Sequence, residues 1–212
     1  MVKEYYSNNL TTLYLGDCRD VTLLGTLITD PPYGINLTNH DKDRSTRGLY
    51  SKVHGDDNRE VGMFVVSEAE RLGLPTVVFA SPMKPWPGKW RQHLVWDKGG
   101  AVGGGGDTKK LWKLSWELIQ VARTPALSGG RDEAVLNFKV GRSQFKLHPT
   151  QKPLDLMLYL IWKTTTENST VCDPFAGSGT TLLAAQRLGR KSVGVEIEEQ
   201  YCEIAAKRLE DG

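Results

Sequence analysis

"VCDPFAGSGTTLLAAQRLG", residues 171–189, decides the fold class. It begins as a buried-strand pattern ending at Asp173, passes through a glycine-bearing turn and continues as a helical pattern from about Gly179. Gly177 and Gly179 allow positive φ and a close backbone approach that a Cβ would obstruct. A cradle of strand, loop and helix suits a nucleotide-like ligand. The loop is not a Walker loop, because Thr180 and Thr181 stand where the lysine and hydroxyl residue belong, and it carries GxG rather than GxGxxG. The following strand pattern, "KSVGVEI" (191–197), places Glu196 23 positions beyond Asp173. In nucleotide-binding α/β folds an acid about 20 residues past the glycine turn accepts hydrogen bonds from ribose hydroxyls. The pair points to an adenosine-containing ligand without phosphate; the competing reading is an ordinary crossover with a surface glutamate.

The rest of the chain fits one α/β domain over residues 1–212, with a mostly parallel sheet and helices on both faces. Strands are expected at 12–15, 25–30, 76–80, 93–97, 117–122, 134–138, 169–173 and 191–196. Helices are expected at 59–73, 153–166, 179–188 and 198–210, the last with Tyr201, Ile204, Ala205 and Leu209 at helical spacing. Two long irregular segments, 34–58 and 97–112, each follow a strand. Loops of that length are uncommon in compact domains unless functional, and both fall on the strand edge where open α/β sheets bind ligands.

Net charge is only +2, so global charge announces no partner. Locally, Lys84, Lys89, Arg91, Lys98, Lys109, Lys110 and Lys113 face only Asp97 and Asp107 between 84 and 113, and Arg131, Lys139, Arg142, Lys146 and Lys152 follow. The C-terminal segment is acidic, so the asymmetry fits one face meeting a polyanion. Cys18, Cys172 and Cys202 form no CxxC pair and no metal-ligand spacing with the four histidines. That usage, with no apolar N-terminal run and no membrane-span length, predicts a cytoplasmic protein without a metal and without a membrane partner.

"ITDPPYGIN" (28–36) is the second informative stretch. A β-branched run stops at Asp30, and Pro31, Pro32 and Tyr33 follow. The bland reading is a strand meeting a turn; the sharper one is a site gripping a planar, amine-bearing ring.

Taken together, these motifs make the chain resemble the S-adenosylmethionine-dependent DNA amino-methyltransferases. "DPFAGSGTT" resembles their cofactor motif and "DPPY" their catalytic motif, and the order found here is that of the permuted β class. "LYLGDC" (13–18), "HLVWDKGG" (93–100), "SWELIQVA" (115–122) and "HPTQKP" (148–153) resemble further family segments. The resemblance implies a Rossmann-like methyltransferase fold and S-adenosylmethionine as cofactor. It implies cofactor contacts from Asp17, Cys18, His148, Thr150, Lys152, Asp173, Phe175, Ala176, Gly177, Ser178, Gly179, Thr180, Thr181, Glu196 and Ile197. Lys152 is expected to meet the cofactor carboxylate; His148 either touches the cofactor or caps the helix from Pro153. The catalytic residues carried over are Asp30, Pro31, Pro32 and Tyr33, acting on double-stranded DNA.

An aromatic amine is a poor nucleophile because its lone pair is delocalised. A carboxylate (Asp30) and a rigid backbone carbonyl (Pro31) that each accept an amine hydrogen would aim that lone pair at a sulfonium methyl. Pro32 restricts Pro31, and Tyr33 offers a face for a base extruded from the duplex. By resemblance, aspartate in the first position implies N6-adenine; N4-cytosine or an RNA amine is the nearest rival, and a binding module without catalysis is a rival of another class. No Pro-Cys pair of a C5-cytosine enzyme occurs. Residues 123–147 leave little or no target-recognition region, so the alternatives are readout by loops 34–58 and 97–112, promiscuous binding, or a homodimer. Trp96 and Trp116 are expected as core or pocket wall, and "KPWPGKW" (84–90) as a surface turn without chemistry.

Overall fold

The computed structural model describes residues 1–34, 59–99, 112, 115–124, 128–140 and 151–212. The described strands are β1 (Lys3–Ser7), β2 (Thr11–Leu15), β3 (Thr26–Thr29), β4 (Thr76–Ala80), β5 (Gln92–Asp97), β6 (Trp116–Ala122), β7 (Val135–Asn137), β8 (Thr170–Asp173) and β9 (Lys191–Glu196). The helices are α1 (Glu60–Arg71), α2 (Leu154–Thr164), α3 (Thr180–Arg187) and α4 (Glu199–Glu210), with a 3₁₀ turn at Cys18–Asp20. Every expected strand and helix forms, with ends shifted by one or two residues. Strand β1 was not expected: "KEYYS" is an exposed edge strand without apolar alternation, held by antiparallel pairing to β2.

All nine strands join one sheet in the order β1-β2-β9-β8-β3-β4-β6-β5-β7. Pairings β2–β9, β9–β8, β8–β3, β3–β4 and β5–β7 are parallel, while β1–β2, β4–β6 and β5–β6 are antiparallel. The decisive neighbours are β3 and β8, in register through Thr26↔Val171 and Leu27↔Cys172. From β3 the chain goes through α1 to β4 on one side, and from β8 through α3 to β9 on the other. The connections thus diverge, and a crevice opens beyond the C-terminal ends of these two strands.

Alternation along β3 sends Leu27 and Ile28 to opposite faces. Ile28 packs with Val77, Phe79, Ile119, Leu156, Leu160 and Ile161, beneath α2. Leu27 packs with Cys18, Leu23, Val65, Ala69, Cys172 and Val195, beneath α1. Cys18, Cys172 and Cys202 are free and buried, and burial pushes the Cys18 thiol up to about 12 and Cys172 to about 11, so both are inert packing residues.

The "KPWPGKW" stretch departs from the surface turn expected of it, because its first tryptophan is core. Trp86 is 2% exposed; its indole donates to the Phe79 carbonyl at 2.8 Å and its backbone N–H to Gln120 Oε1 at 2.7 Å. The ring packs close over the Gly62 position of α1, on the side that Pro31 of the turn after β3 also faces. A Cβ at Gly62 would lie 2.5 Å from Trp86 Cη2 and 3.1 Å from Pro31 Cβ. Helix propensity favours alanine over glycine by about 1 kcal/mol, whereas overpacking costs about 1–3 kcal/mol. Gly62→Ala is therefore expected to lower unfolding free energy in urea, and a more stable variant would refute this packing account.

Candidate active site

The glycine loop is built from β8, α3 and the tip of β9. Gly177 (φ 51°) and Gly179 (φ 75°) adopt left-handed backbone, and a Cβ at Gly179 would sit 2.8 Å from that of Ala205 in α4. The Ala176 N–H donates to the Val195 carbonyl at 2.9 Å, stitching the loop to β9. Glu196 completes the stitch: its Oε2 accepts the Gly177 N–H, and its Oε1 accepts those of Ile197 and Glu198, each at 2.8 Å. Burial pushes the Glu196 carboxyl above its ordinary range, and these three donors oppose the shift. A carboxylate has about four acceptor directions, so capacity for a further donor remains.

Behind the loop, Arg208 of α4 donates from Nη1 to the Ser178 carbonyl at 2.5 Å and to Ser178 Oγ and Thr180 Oγ1 at 3.1 Å each. This clamp is not legible in the sequence, because Arg208 lies beside the apolar stripe of α4 and its partners are 30 and 28 positions away. Phe175 packs against the core beneath α1, and Thr181 is buried on α3. At the neighbouring strand end, the Gly16 N–H donates to the Glu196 carbonyl at 2.9 Å, which brings the Asp17-Cys18 pair to the same edge. Asp17 accepts the Arg19 N–H at 2.9 Å and pairs with its guanidinium, which holds the carboxyl below its ordinary value. Cys18 is buried, and Ile197 is 44% exposed beyond Glu196. His148 and Thr150 lie outside the described residues.

The two motifs meet through one hydrogen bond: Thr29 Oγ1, at the end of β3, donates to Asp173 Oδ1 at 2.6 Å. The same oxygen accepts the Phe175 N–H at 3.1 Å. Burial pushes the Asp173 carboxyl up to about 6 despite donors that favour its charged form.

Asp30 follows Thr29 directly. Its Oδ1 accepts the Tyr33 hydroxyl at 2.5 Å, and its Oδ2 pairs with Lys152 Nζ. Lys152 Nζ also lies 3.2 Å from Glu117 Oε2, while Lys98 pairs with Glu117 Oε1. Because β6 runs antiparallel to β4 and β5 antiparallel to β6, the start of β6 and the end of β5 return to this same edge. The result is a row of alternating charge, Asp30, Lys152, Glu117 and Lys98. It rests on an aromatic floor: Lys152 Nζ stands 4.9 Å from the Phe79 ring centroid and 5.9 Å from that of Trp96.

Burial, reinforced by Glu117, raises the Asp30 carboxyl although Lys152 opposes the rise. Burial alone would lower the Lys152 ammonium, but Asp30 and Glu117 hold it above its ordinary value. Burial opposes ionisation of Glu117 too, yet Lys152 and Lys98 hold its carboxyl low. Burial, then Asp30 and Glu117, push the Tyr33 phenol well above its ordinary value. The structure thus places Lys152, expected at a cofactor carboxylate, between two protein carboxylates. Glu117 and Lys98 sit in stretches quoted from the sequence, but only the sheet order makes them neighbours of Asp30.

Among the described residues no cluster of potential metal ligands occurs, and no helix is long and apolar enough to cross a membrane. Residues 81–207 match the DNA methylase family model N6_N4_Mtase. The Escherichia coli (strain K12) protein YubD is 47% identical over 193 residues, covering 86% of this chain and 80% of that protein. A Lactococcus lactis subsp. cremoris type II methyltransferase, M2.LlaDCHI, is 51% identical over 65 residues, 31% of this chain but only 24% of that protein. Among solved structures, the M1.HpyAVI-SAM complex superposes with a TM-score of 0.66 at 23% identity, covering 94% of this chain and 99% of that one. At that identity the likeness shows the fold.

The raised Asp173 carboxyl has a consequence for stability. A buried acid whose folded value lies near 6, above the ordinary 3.8, costs nothing while protonated at low pH and carries its full cost above about pH 6. Asp173→Asn keeps an acceptor for Thr29 and Phe175 without the charge. It is expected to exceed the wild type in stability above pH 6, by on the order of 3 kcal/mol. The gap should close between pH 6 and pH 4 in thermal melts; a gap constant with pH would refute the assignment.

Proposed function

This chain belongs to the DNA methylase family, and on that footing we propose that it transfers a methyl group from S-adenosylmethionine to the N6 amine of an adenine extruded from double-stranded DNA. The observation that carries the reading is the Thr29–Asp173 hydrogen bond, which joins the DPPY turn to the glycine loop at the crevice between β3 and β8. The order of the two motifs along the chain is that of the permuted β class.

The loop fits the cofactor. Residues 173–181 contain no Lys or Arg to bind phosphate, Gly177 and Gly179 take left-handed backbone in the loop, and Glu196 keeps acceptor capacity at the adjoining tip. Gly177, Ser178, Gly179 and Thr180 would line the nucleoside, with Glu196 accepting from its ribose, Ile197 and the Asp17-Cys18 end flanking its ring, and Asp173 near its amino-acid end. S-adenosylmethionine supplies, when bound, an electrophilic methyl on a sulfonium.

Asp30 accepts one hydrogen of the target amine and the Pro31 carbonyl the other, which turns the nitrogen lone pair toward the methyl. The methylated nitrogen becomes acidic only as the bond forms, so Asp30 does not remove a proton beforehand. Tyr33 offers its ring to the extruded base, a contact contributing roughly 1–3 kcal/mol in comparable cases. Basic residues of loops 34–58 and 97–112 take the phosphates, so affinity falls steeply with salt. Most of both loops lies outside the described residues.

The adenine assignment rests on aspartate as the first residue of the motif; the family's name spans both N6 and N4 amines. Incubation with tritiated S-adenosylmethionine and unmodified duplex DNA, followed by digestion to nucleosides, separates them. Label is expected in N6-methyladenine; label in N4-methylcytosine would overturn the base assignment, and no label in any nucleoside would overturn the activity. Asp30→Ala is expected to reduce transfer by at least about 10²-fold with affinity for S-adenosylmethionine little changed. Loss of cofactor binding instead would remove Asp30 from the catalytic role.

A further inference from the structure

Both oxygens of Asp30 are occupied, one by Lys152 Nζ and the other by the Tyr33 hydroxyl. Under the methyl-transfer reading, on which this inference rests, the substrate amine has to join or displace a donor already held close on each oxygen of Asp30. A buried ammonium or phenol does not leave a carboxylate for nothing, because an unpaired group in such a site is strongly disfavoured. One atom lies within reach of both occupants. Glu117 Oε2 stands 3.2 Å from Lys152 Nζ and 3.3 Å from the Tyr33 hydroxyl. The other oxygen of Glu117 is held by Lys98, which anchors the side chain and, with Lys152, favours its charged form.

We propose that Glu117 is a positioning residue whose Oε2 takes over Lys152 and the Tyr33 hydroxyl as the substrate amine arrives at Asp30. No proton changes owner in the exchange: Lys152 and Tyr33 keep theirs, and each trades one acceptor for another a short distance away. Glu117 does not touch the base or the reacting methyl. It keeps Asp30 accessible by sharing the two groups that otherwise sit closest to its oxygens. The aromatic floor helps, since the Phe79 and Trp96 rings lie under Lys152 Nζ at one end of its excursion.

Among the described residues, the charged or titratable groups facing Asp30 are Lys152, Glu117 and the neutral Tyr33 phenol, with Asp173 beyond Thr29 and Lys98 behind Glu117. Glu117→Gln removes a like charge and leaves Lys152 wholly on Asp30, so Asp30 must titrate at lower pH than in the wild type. The variant is expected to lose about tenfold or more in kcat, to keep its affinity for S-adenosylmethionine in titration calorimetry, and to shift the acid limb of kcat/KM to lower pH. In a Tyr33→Phe background, where one displaced group is gone, the loss from Glu117→Gln should be smaller. Glu117→Asp, which keeps the charge and shortens the reach, should lose rate with little movement of the acid limb.

Carboxylate-detected ¹³C titration of Asp30 in the ligand-free protein tests the coupling without turnover. A lower midpoint in Glu117→Gln is expected. An unchanged midpoint, or independent losses in the two backgrounds with only thermal stability reduced, would make Glu117 a brace and overturn the proposal. Absence of methyl transfer by the wild type would overturn the functional reading separately, while the titration would still decide whether Glu117 governs Asp30.

Discussion

The parallel pairing of β3 with β8 is the constraint on which the rest of this structure depends. Each strand ends on an aspartate-bearing motif, and the two motifs are more than a hundred residues apart in the chain. Pairing them in register puts both strand ends at one edge, where diverging connections leave room for ligands. The Thr29 hydroxyl then reaches Asp173, so a side chain of one motif strand satisfies a buried carboxylate of the other. Register matters at single-residue precision, because a slip by one position would turn Thr29 to the opposite face.

Around this seam the protein concentrates charge that it could not tolerate elsewhere. Asp30, Lys152, Glu117 and Lys98 alternate in sign, so the row is close to neutral while every member retains a partner. Pairs of this kind add little net stability, since desolvation consumes much of the attraction. Their value lies in geometry and in proton affinity. Burial pushes the Asp30 carboxyl up while two ammonium groups hold Glu117 down, so neighbouring acids of similar intrinsic strength are set apart. The loop beside them is held by neutral means, through backbone donors on Glu196 and the Arg208 clamp from α4.

Much of the architecture is legible in the sequence because it follows from local patterns. β-branched runs mark β3, β4, β8 and β9, and helical spacing marks α4. Gly177 and Gly179 are legible because few other residues accept their backbone. Strand β1 is not legible in the sequence because its pairing, not its composition, makes it a strand. Trp86 is hidden in the sequence for a related reason: a tryptophan among prolines, glycine and lysines looks like a turn until Gln120 and Gly62 close around it.

The α/β class, the glycine cradle with Asp173 and Glu196, and the carboxylate, two prolines and tyrosine after β3 are all readable along the chain. These follow from steric and periodic rules acting over a few residues. Only the tertiary structure decided that Lys152 sits between Asp30 and Glu117, that Lys98 backs Glu117, and that Arg208 clamps the glycine loop. Those contacts join side chains from different strands and helices. They depend on the order and direction of strands in the sheet, which no spacing along the chain encodes.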